Sequence, residues 1–243
     1  MGNVVLFVRF VEKIMTVRPI AYPIIKLVSS NLKINASKNI TIEDHVRFTL
    51  SWHFLNLLTI KPSQVRAEIN QLLTLISQIH PKTVLEIGTS LGGTLYTFSK
   101  VAANNATIIS VDLPRGYPLW KIALYKSFAQ GSQKIHLVQG NSHAPSTLSK
   151  VKKIINETEV DVLFIDGDHS YEGVKRDFEM YTPLVRNCGL VVFHDIVSGP
   201  SESVGGVPKF WSEIKCSYSY IEIVENWQQG GFGIGVLFLS NNV

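Results

Sequence analysis

The segment from Asp161 to Gly173, DVLFIDGDHSYEG, begins as an apolar run and ends in a cluster of ionisable side chains. Asp166, Asp168 and His169 follow the apolar run almost without interruption. A histidine titrates near neutral pH and is suited to proton transfer. Carboxylate oxygens are suited to a hard divalent cation. The segment therefore predicts a site that handles a proton, a cation or both.

A second ionisable pair, His194 and Asp195, ends another apolar run, GLVVFHDI. If the two runs are neighbouring parallel strands, their carboxyl ends meet at one edge of a sheet. Asp166, His194 and Asp195 could then share one divalent ion. The carboxylates suit Mg²⁺, whereas the histidine better suits Mn²⁺ or another transition ion. The alternative is that both aspartates only order their loops through backbone N–H groups.

Alternating strands and helices must position these side chains. From about residue 61 onward, short β-branched runs alternate with segments of helical spacing. Because the strands are apolar on both faces, we predict an α/β fold with a doubly wound, Rossmann-like, seven-stranded sheet, mostly parallel and covered by helices on both faces. The last two strands are joined only by NWQQGG, so they form a C-terminal hairpin and one of them runs antiparallel. The predicted strands are KTVLEIG, ATIISVDL, KIHLVQG, DVLFIDG, GLVVFHDI, YSYIEIVE and FGIGVLFLS.

The chain is predicted to contain one main domain, residues 61–243, preceded by a helical extension, residues 1–60. An apolar fraction of 45% can supply the core of such a domain. The extension carries seven Lys/Arg against three acidic residues, which accounts for the whole net charge of +4. The main domain is therefore neutral, which argues against a nucleic-acid groove. Two cysteines are too few for a disulfide framework and favour a cytoplasmic location.

The N-terminal stretch NVVLFVRFVEKIMTV predicts an amphipathic helix that ends before Pro19. Its charged residues interrupt the run too often for it to span a bilayer, which requires ~20 apolar residues. Three interpretations stay open for the extension. It could close over the site as a lid, pack on the domain or on a second subunit of a homo-oligomer, or place residues 1–28 in a membrane interface as a peripheral contact, and packing is favoured over the membrane contact.

The glycine-rich loop VLEIGTSLGGT follows the first predicted strand. Gly88 permits a tight turn, while Gly92 and Gly93 allow a ligand or the next helix to approach the backbone. Ser90 stands where the dinucleotide pattern requires glycine. A carboxylate at Glu86 would repel a diphosphate and attract a cationic amino acid part. The loop therefore favours an adenosine ligand without a pyrophosphate.

Asp112 ends the second predicted strand, in SVDL. A carboxylate at this position can accept hydrogen bonds from both hydroxyls of a ribose. The alternative is a helix cap. The ribose interpretation agrees with the adenosine ligand that the glycine-rich loop predicts.

An ordered set of segments resembles the class I S-adenosylmethionine-dependent methyltransferases. The resemblance covers about residues 60–240 and is greatest to the O-methyltransferase branch with cephalosporin-hydroxylase-like and macrolide-sugar or rhamnosyl methyltransferases. It implies S-adenosylmethionine as the cofactor and methyl transfer to a hydroxyl oxygen of a small molecule or sugar. The segments are VLEIGTSLGGT, SVDL, GNSHAPSTLSKV, FIDGDHSYEGVKRD, GLVVFHDI, GVPKFW and GIGVLF.

The resemblance also implies how the cofactor is held. The predicted contacts divide among the methionine part, the ribose and the adenine edge, with one further carboxylate beside them. They are Glu86, Gly88, Ser90 and Gly92 for the methionine part, Asp112 for the ribose, Asn141 and Ser142 for the adenine edge, and Asp166 as the further carboxylate. His143 is a weaker candidate beside the adenine loop. The other histidines, His45, His53, His80 and His136, are interpreted as packing or surface residues.

The resemblance gives the ionisable clusters catalytic roles. Metal-dependent relatives place carboxylates at the ends of strands four and five, which here are Asp166 and Asp195, with His194 beside them as the third predicted ligand. Related sugar methyltransferases have a histidine at the position of His169 as general base. Asp168 would orient that imidazole or, as we favour, cap the next helix.

Two other functions stay open at this point. A nicotinamide-dependent oxidoreductase would share the strand and helix pattern, but Glu86, Ser90 and the terminal hairpin count against it. A non-catalytic cofactor-binding subunit would act through its N-terminal extension. The presence of both His169 and the two predicted metal-binding aspartates counts against that alternative.

Overall fold

A computed structural model describes residues 40–51, 53–54, 58–114, 117 and 119–240. The predicted N-terminal amphipathic helix and its membrane-surface contact lie outside the described residues. Within the described ranges, no helix has both the length and the apolar character needed to cross a membrane.

The elements alternate as the apolar pattern predicts. Helix α1 spans Ile42–Ser51 and precedes two short paired strands, β1 (His53–Phe54) and β2 (Leu58–Thr59). The following elements are α2 (Arg66–Ile79), β3 (Thr83–Ile87), α3 (Gly93–Val101), β4 (Thr107–Asp112), α4 (Leu119–Lys126), β5 (Lys134–Gln139), α5 (Pro145–Ile155), β6 (Val160–Ile165), α6 (Tyr171–Tyr181), β7 (Val185–His194), α7 (Ser201–Val204), α8 (Val207–Ile214), β8 (Ser219–Ile223) and β9 (Ile234–Phe238).

The main sheet has seven strands in the order β5-β4-β3-β6-β7-β9-β8. Strands β3 to β7 pair in parallel, and β9 is antiparallel to both of its neighbours, β7 and β8. The predicted mixed sheet with one reversed strand in a terminal hairpin is confirmed. The strand order changes direction between β3 and β6, so a ligand crevice is expected at their carboxyl ends.

Helices cover both faces of the sheet because successive strand residues point to opposite sides. On β3, Val84 faces the core formed with α2 and α3, and Leu85 faces the core formed with α5, α6 and α8. Helix α1, the described helix of the predicted extension, lies on the first of these cores. Its Phe48 packs on the ring of Tyr96 of α3 at a centroid distance of 5.5 Å.

Candidate functional site

Two adjoining cavities open at the carboxyl ends of the parallel strands. The first, of about 410 Å³, is bounded by the turns after β3, β4, β5 and β6. The second, of about 460 Å³, is bounded by the turns after β6 and β7 and by the loop between β8 and β9. Ser90, Asp166 and Gly167 line both cavities. Two molecules bound side by side would therefore meet at these three residues.

The glycine-rich loop is shaped mainly by contacts within the protein. Gly88 has φ +94°, and a Cβ there would lie 1.9 Å from the carbonyl oxygen of Asp166. A Cβ on Gly92 would lie 2.5 Å from the ring of Tyr125, and one on Gly93 would lie 2.2 Å from a backbone nitrogen. Gly88 lines the first cavity, whereas Gly92, a predicted cofactor contact, does not. Gly92 and Gly93 are therefore required by packing in this structure.

Asp112 holds the loop from the end of β4. Its Oδ2 accepts a hydrogen bond from the backbone N–H of Ser90 at 3.1 Å, and its Oδ1 accepts one from Leu113 at 2.7 Å. Asp112 and Ser90 both line the first cavity, as predicted cofactor contacts must. A carboxylate has about four acceptor positions, so Asp112 can still accept from a ligand's hydroxyls.

Glu86 lies beneath the loop and not in either cavity. It is fully buried, and its Oε2 accepts a hydrogen bond from Ser110 Oγ at 2.5 Å. Burial raises the pKa of Glu86 to about 8, so the carboxyl is neutral at neutral pH. The structure does not bring Glu86 to the other predicted cofactor residues, and its contact with the methionine part stays a prediction.

A buried polar network, which sequence reasoning missed, supports the loop from below. Thr89 Oγ1 is bonded to the hydroxyls of Ser110 and Tyr117, and Tyr117 also donates to the carbonyl oxygen of Ser110 at 2.9 Å. With Glu86, these groups form a connected chain under the turn. Such connected buried networks favour one arrangement of the backbone, although Glu86 Oε1 has no partner among the described residues.

Asn141 and Ser142 line the first cavity and not the second. The side chain of Asn141 accepts from the backbone N–H of His143 at 2.9 Å. The hydroxyl of Tyr181, on α6, donates to the carbonyl oxygen of Ser142 at 2.8 Å. The turn after β5 is thus held against α6, and both predicted adenine contacts lie at the first cavity.

The two ionisable clusters converge where the cavities meet. Asp166, His169 and Asp195 can each offer one ligand atom, and these atoms lie within 4.8 Å of one another. His169 Nε2 lies 3.2 Å from Asp166 Oδ1, and its Nδ1 lies 3.4 Å from Asp195 Oδ2. Two carboxylates and an imidazole form a donor set that fits a divalent ion of intermediate hardness.

His194, the third predicted ligand, lies behind this set and is only 3% exposed. Its Nδ1 is 3.2 Å from Asp166 Oδ1 and 3.3 Å from Asp195 Oδ2. The three predicted metal ligands therefore lie together in the structure. His169, which was not predicted as a ligand, lies with them as a fourth candidate. Sequence reasoning assigned His169 to proton removal alone, because only its spacing from Asp166 was visible.

The carboxylates and imidazoles perturb one another strongly. Burial favours neutral Asp166, but His194 and His169 overcome it and lower the pKa of Asp166 to about 2. The hydrogen bond with Asp166 raises the pKa of His169 to about 9. Burial opposes charge on His194, yet Asp166 and Asp195 raise its pKa to about 10. Without a bound cation, both imidazoles are therefore protonated at neutral pH.

His169 has no free ring nitrogen in this arrangement. Its Nδ1–H donates to the carbonyl oxygen of Ser203 at 2.5 Å, while Nε2 faces Asp166. Asp168 does not contact the imidazole but accepts from the backbone N–H of Ser170 at 2.9 Å. The N-cap of α6 is Ser170, whose hydroxyl accepts from Gly173 N–H. The prediction that Asp168 caps this helix is therefore wrong, because the cap falls two residues later.

Two residues missed by sequence reasoning hold the carboxylates. Gln64, which precedes α2, donates from Nε2 to Asp166 Oδ2 at 3.0 Å. Asp195 has φ +62°, and its Oδ1 accepts from the backbone N–H of Phe232 at 3.0 Å. Aspartate adopts the left-handed region more readily than most residues, and the bond from Phe232 fixes the carboxylate in this orientation.

The β8–β9 loop, residues 224–233, forms one wall of the second cavity through Gly230, Gly231 and Phe232. Glu68, a fully buried carboxylate on α2, anchors this loop. It accepts hydrogen bonds from Glu225 N–H, Gln229 Nε2 and Gly233 N–H at 3.0, 2.7 and 3.0 Å. Sequence reasoning had no signal for this anchor, because its partners lie at least 157 residues away.

Comparison with known proteins agrees with this architecture. Residues 85–196 match the family model of a methyltransferase domain. The uncharacterized protein y4gI of Sinorhizobium fredii is 27% identical over 151 residues, which are 58% of this chain and 16% of that protein. The chain thus spans about a sixth of the length of the curated relatives that it matches.

Two solved structures share the fold. One is the O-methyltransferase TomG from Streptomyces achromogenes, involved in tomaymycin synthesis, in complex with SAM (TM-score 0.57, 16% identity, 87% of this chain and 96% of that chain). The other is the O-methyltransferase from Bacillus cereus in complex with SAH (TM-score 0.56, 16% identity, 88% and 99%). The resemblance predicted from the ordered segments is confirmed: the chain shares the fold of these methyltransferases, and residues 85–196 match the model of a methyltransferase domain.

Proposed function

We propose that the protein transfers a methyl group from S-adenosylmethionine to a hydroxyl oxygen of a small molecule or sugar. The observation that carries the proposal is the pair of cavities that meet at Ser90, Asp166 and Gly167. Displacement at a methyl carbon requires the two reacting atoms to be held ~3–3.5 Å apart and in line. Adjoining cavities with a shared wall suit a donor in the first and an acceptor in the second.

The charge of the first cavity supports a sulfonium cofactor. Asp112, Asp166 and Asp168 line it, and none of the described lining residues is a lysine or arginine. A pyrophosphate would therefore face carboxylates without a counter-ion, which disfavours the nicotinamide alternative. A cationic sulfonium would be attracted by the same groups.

The second cavity supports a hydroxyl acceptor. Its lining combines ionisable groups with serine and glycine, and Phe232 adds one aromatic ring. A polyhydroxylated ring can hydrogen-bond to the ionisable and serine side chains and pack on the ring of Phe232. The preference for a sugar also draws on the resemblance to sugar methyltransferases, and the solved neighbours TomG and the B. cereus enzyme are named as O-methyltransferases.

A divalent cation, where used, would be held by Asp166, His169 and Asp195, with His194 behind them. When bound, such an ion lowers the pKa of the acceptor hydroxyl. Gln64 and the backbone of Phe232 would keep the two carboxylates aimed at the junction of the cavities. Without an ion, His169 would take the acceptor's proton only after losing its own, so this route would require a pH near or above its pKa of about 9.

Calorimetric titration with S-adenosylhomocysteine and, in parallel, NADH tests the cofactor. We expect micromolar binding of the first compound alone. Binding of NADH alone would overturn the proposal. A screen with isotopically labelled S-adenosylmethionine, beginning with sugars, then tests turnover, and tight cofactor binding with no turnover on any acceptor would favour the non-catalytic alternative.

Chelation separates the two roles of His169. Activity lost on treatment with a chelator and restored by Mg²⁺ or Mn²⁺ would support an ion at Asp166, His169 and Asp195. Full activity in the metal-stripped protein would remove the metal from the proposal. In that case His169→Ala should keep S-adenosylhomocysteine binding and lose turnover if His169 is the base.

A further inference from the structure

Strand β5 ends the sheet on one side, and β4 is its one neighbour among the described strands. The backbone N–H of Lys134 donates to the carbonyl oxygen of Ala106, and that of Gly140 donates to Asp112. Because the direction of these bonds alternates along a strand, the even-numbered residues of β5 bond towards β4. The odd-numbered residues direct their N–H and C=O groups away from the sheet, and they are Ile135, Leu137 and Gln139. Within the described ranges, only the Gln139 carbonyl oxygen has a partner on that side, Lys150 Nζ at 3.2 Å.

An open groove of about 590 Å³ follows this edge of the sheet. It is lined by residues 135–139 of β5, by Ile122 and Lys126 of α4, and by Lys150, Lys153 and Ile154 of α5. The two helices pack on opposite faces of the sheet, so the groove opens between them at the strand itself. A strand edge with unpaired backbone groups is a template on which another strand can pair.

The groove is basic. Three lysines line it, and none of its described lining residues is an aspartate or a glutamate. Lys134, on β5 itself, adds an exposed positive charge at the start of the strand. His136 responds to this charge, since burial lowers its pKa and the nearby Lys126 and Lys134 lower it further. An anionic group that entered the groove would therefore meet positive charge, with apolar side chains beside it.

These features favour one kind of occupant. A second copy that paired through its own β5 would bring two sets of lysines together, and like charges on adjacent strands are destabilising. A nucleic acid could bind the lysines, but it would leave the outward N–H and C=O groups of the strand and the isoleucines of the groove unused. An acidic polypeptide in an extended conformation can use all three.

We propose that the edge of β5 binds an extended acidic segment of a partner protein as an added strand. This inference goes beyond the proposed function and does not depend on it. Pairing with the outward backbone groups would supply affinity, and the side chains in the groove would supply selectivity. Lys126, Lys150 and Lys153 would attract carboxylates, while Ile122 and Ile154 would pack on apolar side chains of the segment. Lys150 has three donors, so its bond to Gln139 leaves it able to bind a carboxylate.

Fluorescence anisotropy with the full chain and a labelled peptide tests the charge of the groove. The peptide alternates glutamate and valine over about eight residues, within the usual length of a strand. We expect saturable binding that weakens as salt is added. Lys153→Glu should weaken it roughly 5-fold, because an attraction becomes a repulsion at an exposed site. The lysine is exposed, so the fold should be retained.

Lys152→Glu is the matched control. Lys152 is the neighbouring residue on α5 and is also exposed, but it does not line the groove. The two variants therefore change net charge and helix composition equally. At an ionic strength of about 0.15 M, exposed charges more than about 8 Å apart are largely screened, so Lys152→Glu should bind the peptide like the wild type. Equal losses in the two variants would mean that net charge alone attracts the peptide, and would overturn the inference.

Backbone pairing has its own measurements. A peptide methylated at two adjacent central amides cannot pair through its centre on either edge, so it should bind far more weakly. In amide hydrogen exchange, the N–H groups of Ile135 and Leu137 should exchange more slowly when the unmodified peptide is added. The N–H of His136, which points to β4, should not change.

The contrary outcomes are equally clear. No binding of the peptide, or equal binding of the methylated peptide, would overturn the inference. Equal binding of a single-stranded DNA of the same charge would mean that the groove attracts anions without pairing a strand, and would also overturn it. Slow exchange of Ile135 and Leu137 in the protein alone would show that the edge is already paired, which would exclude an added strand.

Discussion

Replacing Glu86 with glutamine should make the stability of the protein less dependent on pH. Glu86 is fully buried, and burial is the main cause that raises its pKa to about 8, against the hydrogen bond from Ser110, which lowers it. In the unfolded chain the carboxyl returns to its ordinary pKa of 4.5. Above that pH, the folded protein keeps a proton that the unfolded chain releases, and this difference links folding to pH.

The sign follows from the raised pKa. Stability contributed by Glu86 is complete below about pH 4.5 and is lost as the pH rises toward 8. Each rise of one pH unit in this window lowers the free energy of unfolding by up to ~1.4 kcal/mol. Between pH 5 and 8 this free energy therefore falls by an amount on the order of 3 kcal/mol. For a domain of this size that corresponds to roughly 6–12 °C in melting temperature. Glutamine has nearly the same shape and does not titrate.

The assay compares melting temperatures of the wild type and Glu86→Gln across this pH range by scanning fluorimetry. Other ionisable groups titrate in both proteins, so they cancel in the difference. We expect the curves to diverge as the pH rises, with the variant becoming the more stable protein. Parallel curves would show that Glu86 is already ionised in the folded protein and would refute the reasoning.

The same variant tests the predicted contact between Glu86 and the methionine part of the cofactor. The structure places Glu86 outside both cavities, so S-adenosylhomocysteine should bind Glu86→Gln as tightly as it binds the wild type. A loss of tenfold or more would instead support a direct ionic contact. Asp112→Ala, whose side chain does line the cavity, provides the comparison.

Three further outcomes follow from the site. Asp112→Ala removes both the predicted ribose acceptor and the partner of the Ser90 N–H. The affinity for S-adenosylhomocysteine, measured by calorimetry, should therefore fall at least ~10-fold while the protein stays folded. Unchanged affinity would contradict the ribose role. Gly88→Ala should destabilise the protein far more than Gly230→Ala in thermal melts. Both glycines have positive φ, but a Cβ at Gly88 would meet a backbone carbonyl at 1.9 Å and one at Gly230 meets nothing within 4 Å, so equal effects would refute the steric account. Glu68→Gln should cost about 1–3 kcal/mol by leaving a donor of the β8–β9 loop unpaired, and should speed proteolysis in that loop; wild-type cleavage rates would contradict the anchor.

Much of the fold could be predicted because the strands are short, apolar and regularly spaced. β3 and β6, for example, read as TVLEI and VDVLFI, and both are buried in the centre of the sheet. Parallel strands then bring the residues that follow them to one edge, which is why Asp112, Asp166 and Asp195 were expected near one another. That expectation needed only strand ends, which local sequence reveals.

Partners from distant segments could not be predicted. His143, which lines the first cavity, has its Nε2 3.3 Å from Oδ1 of Asp177 on α6, and nothing local to either residue indicates the pair. Gln64 reaches Asp166 across 102 residues. The contacts of Gly92 with Tyr125 also depend on how two helices pack, so a glycine that looked suited to a ligand is explained by an aromatic ring. Packing in three dimensions decides such roles, and spacing along the chain does not encode it.

The anchor at Glu68 also bears on how the molecule is made. Its carboxylate lies near the start of the domain, whereas the groups that it binds lie between residues 225 and 233. Strand β9, the last in sequence, is inserted between β7 and β8. Domains are synthesised from the N-terminus and can begin to fold before the chain is complete. On the ribosome, the strands and turns that line the first cavity therefore emerge well before the β8–β9 wall of the second. The proposed cofactor site is thus synthesised before the proposed acceptor site is complete.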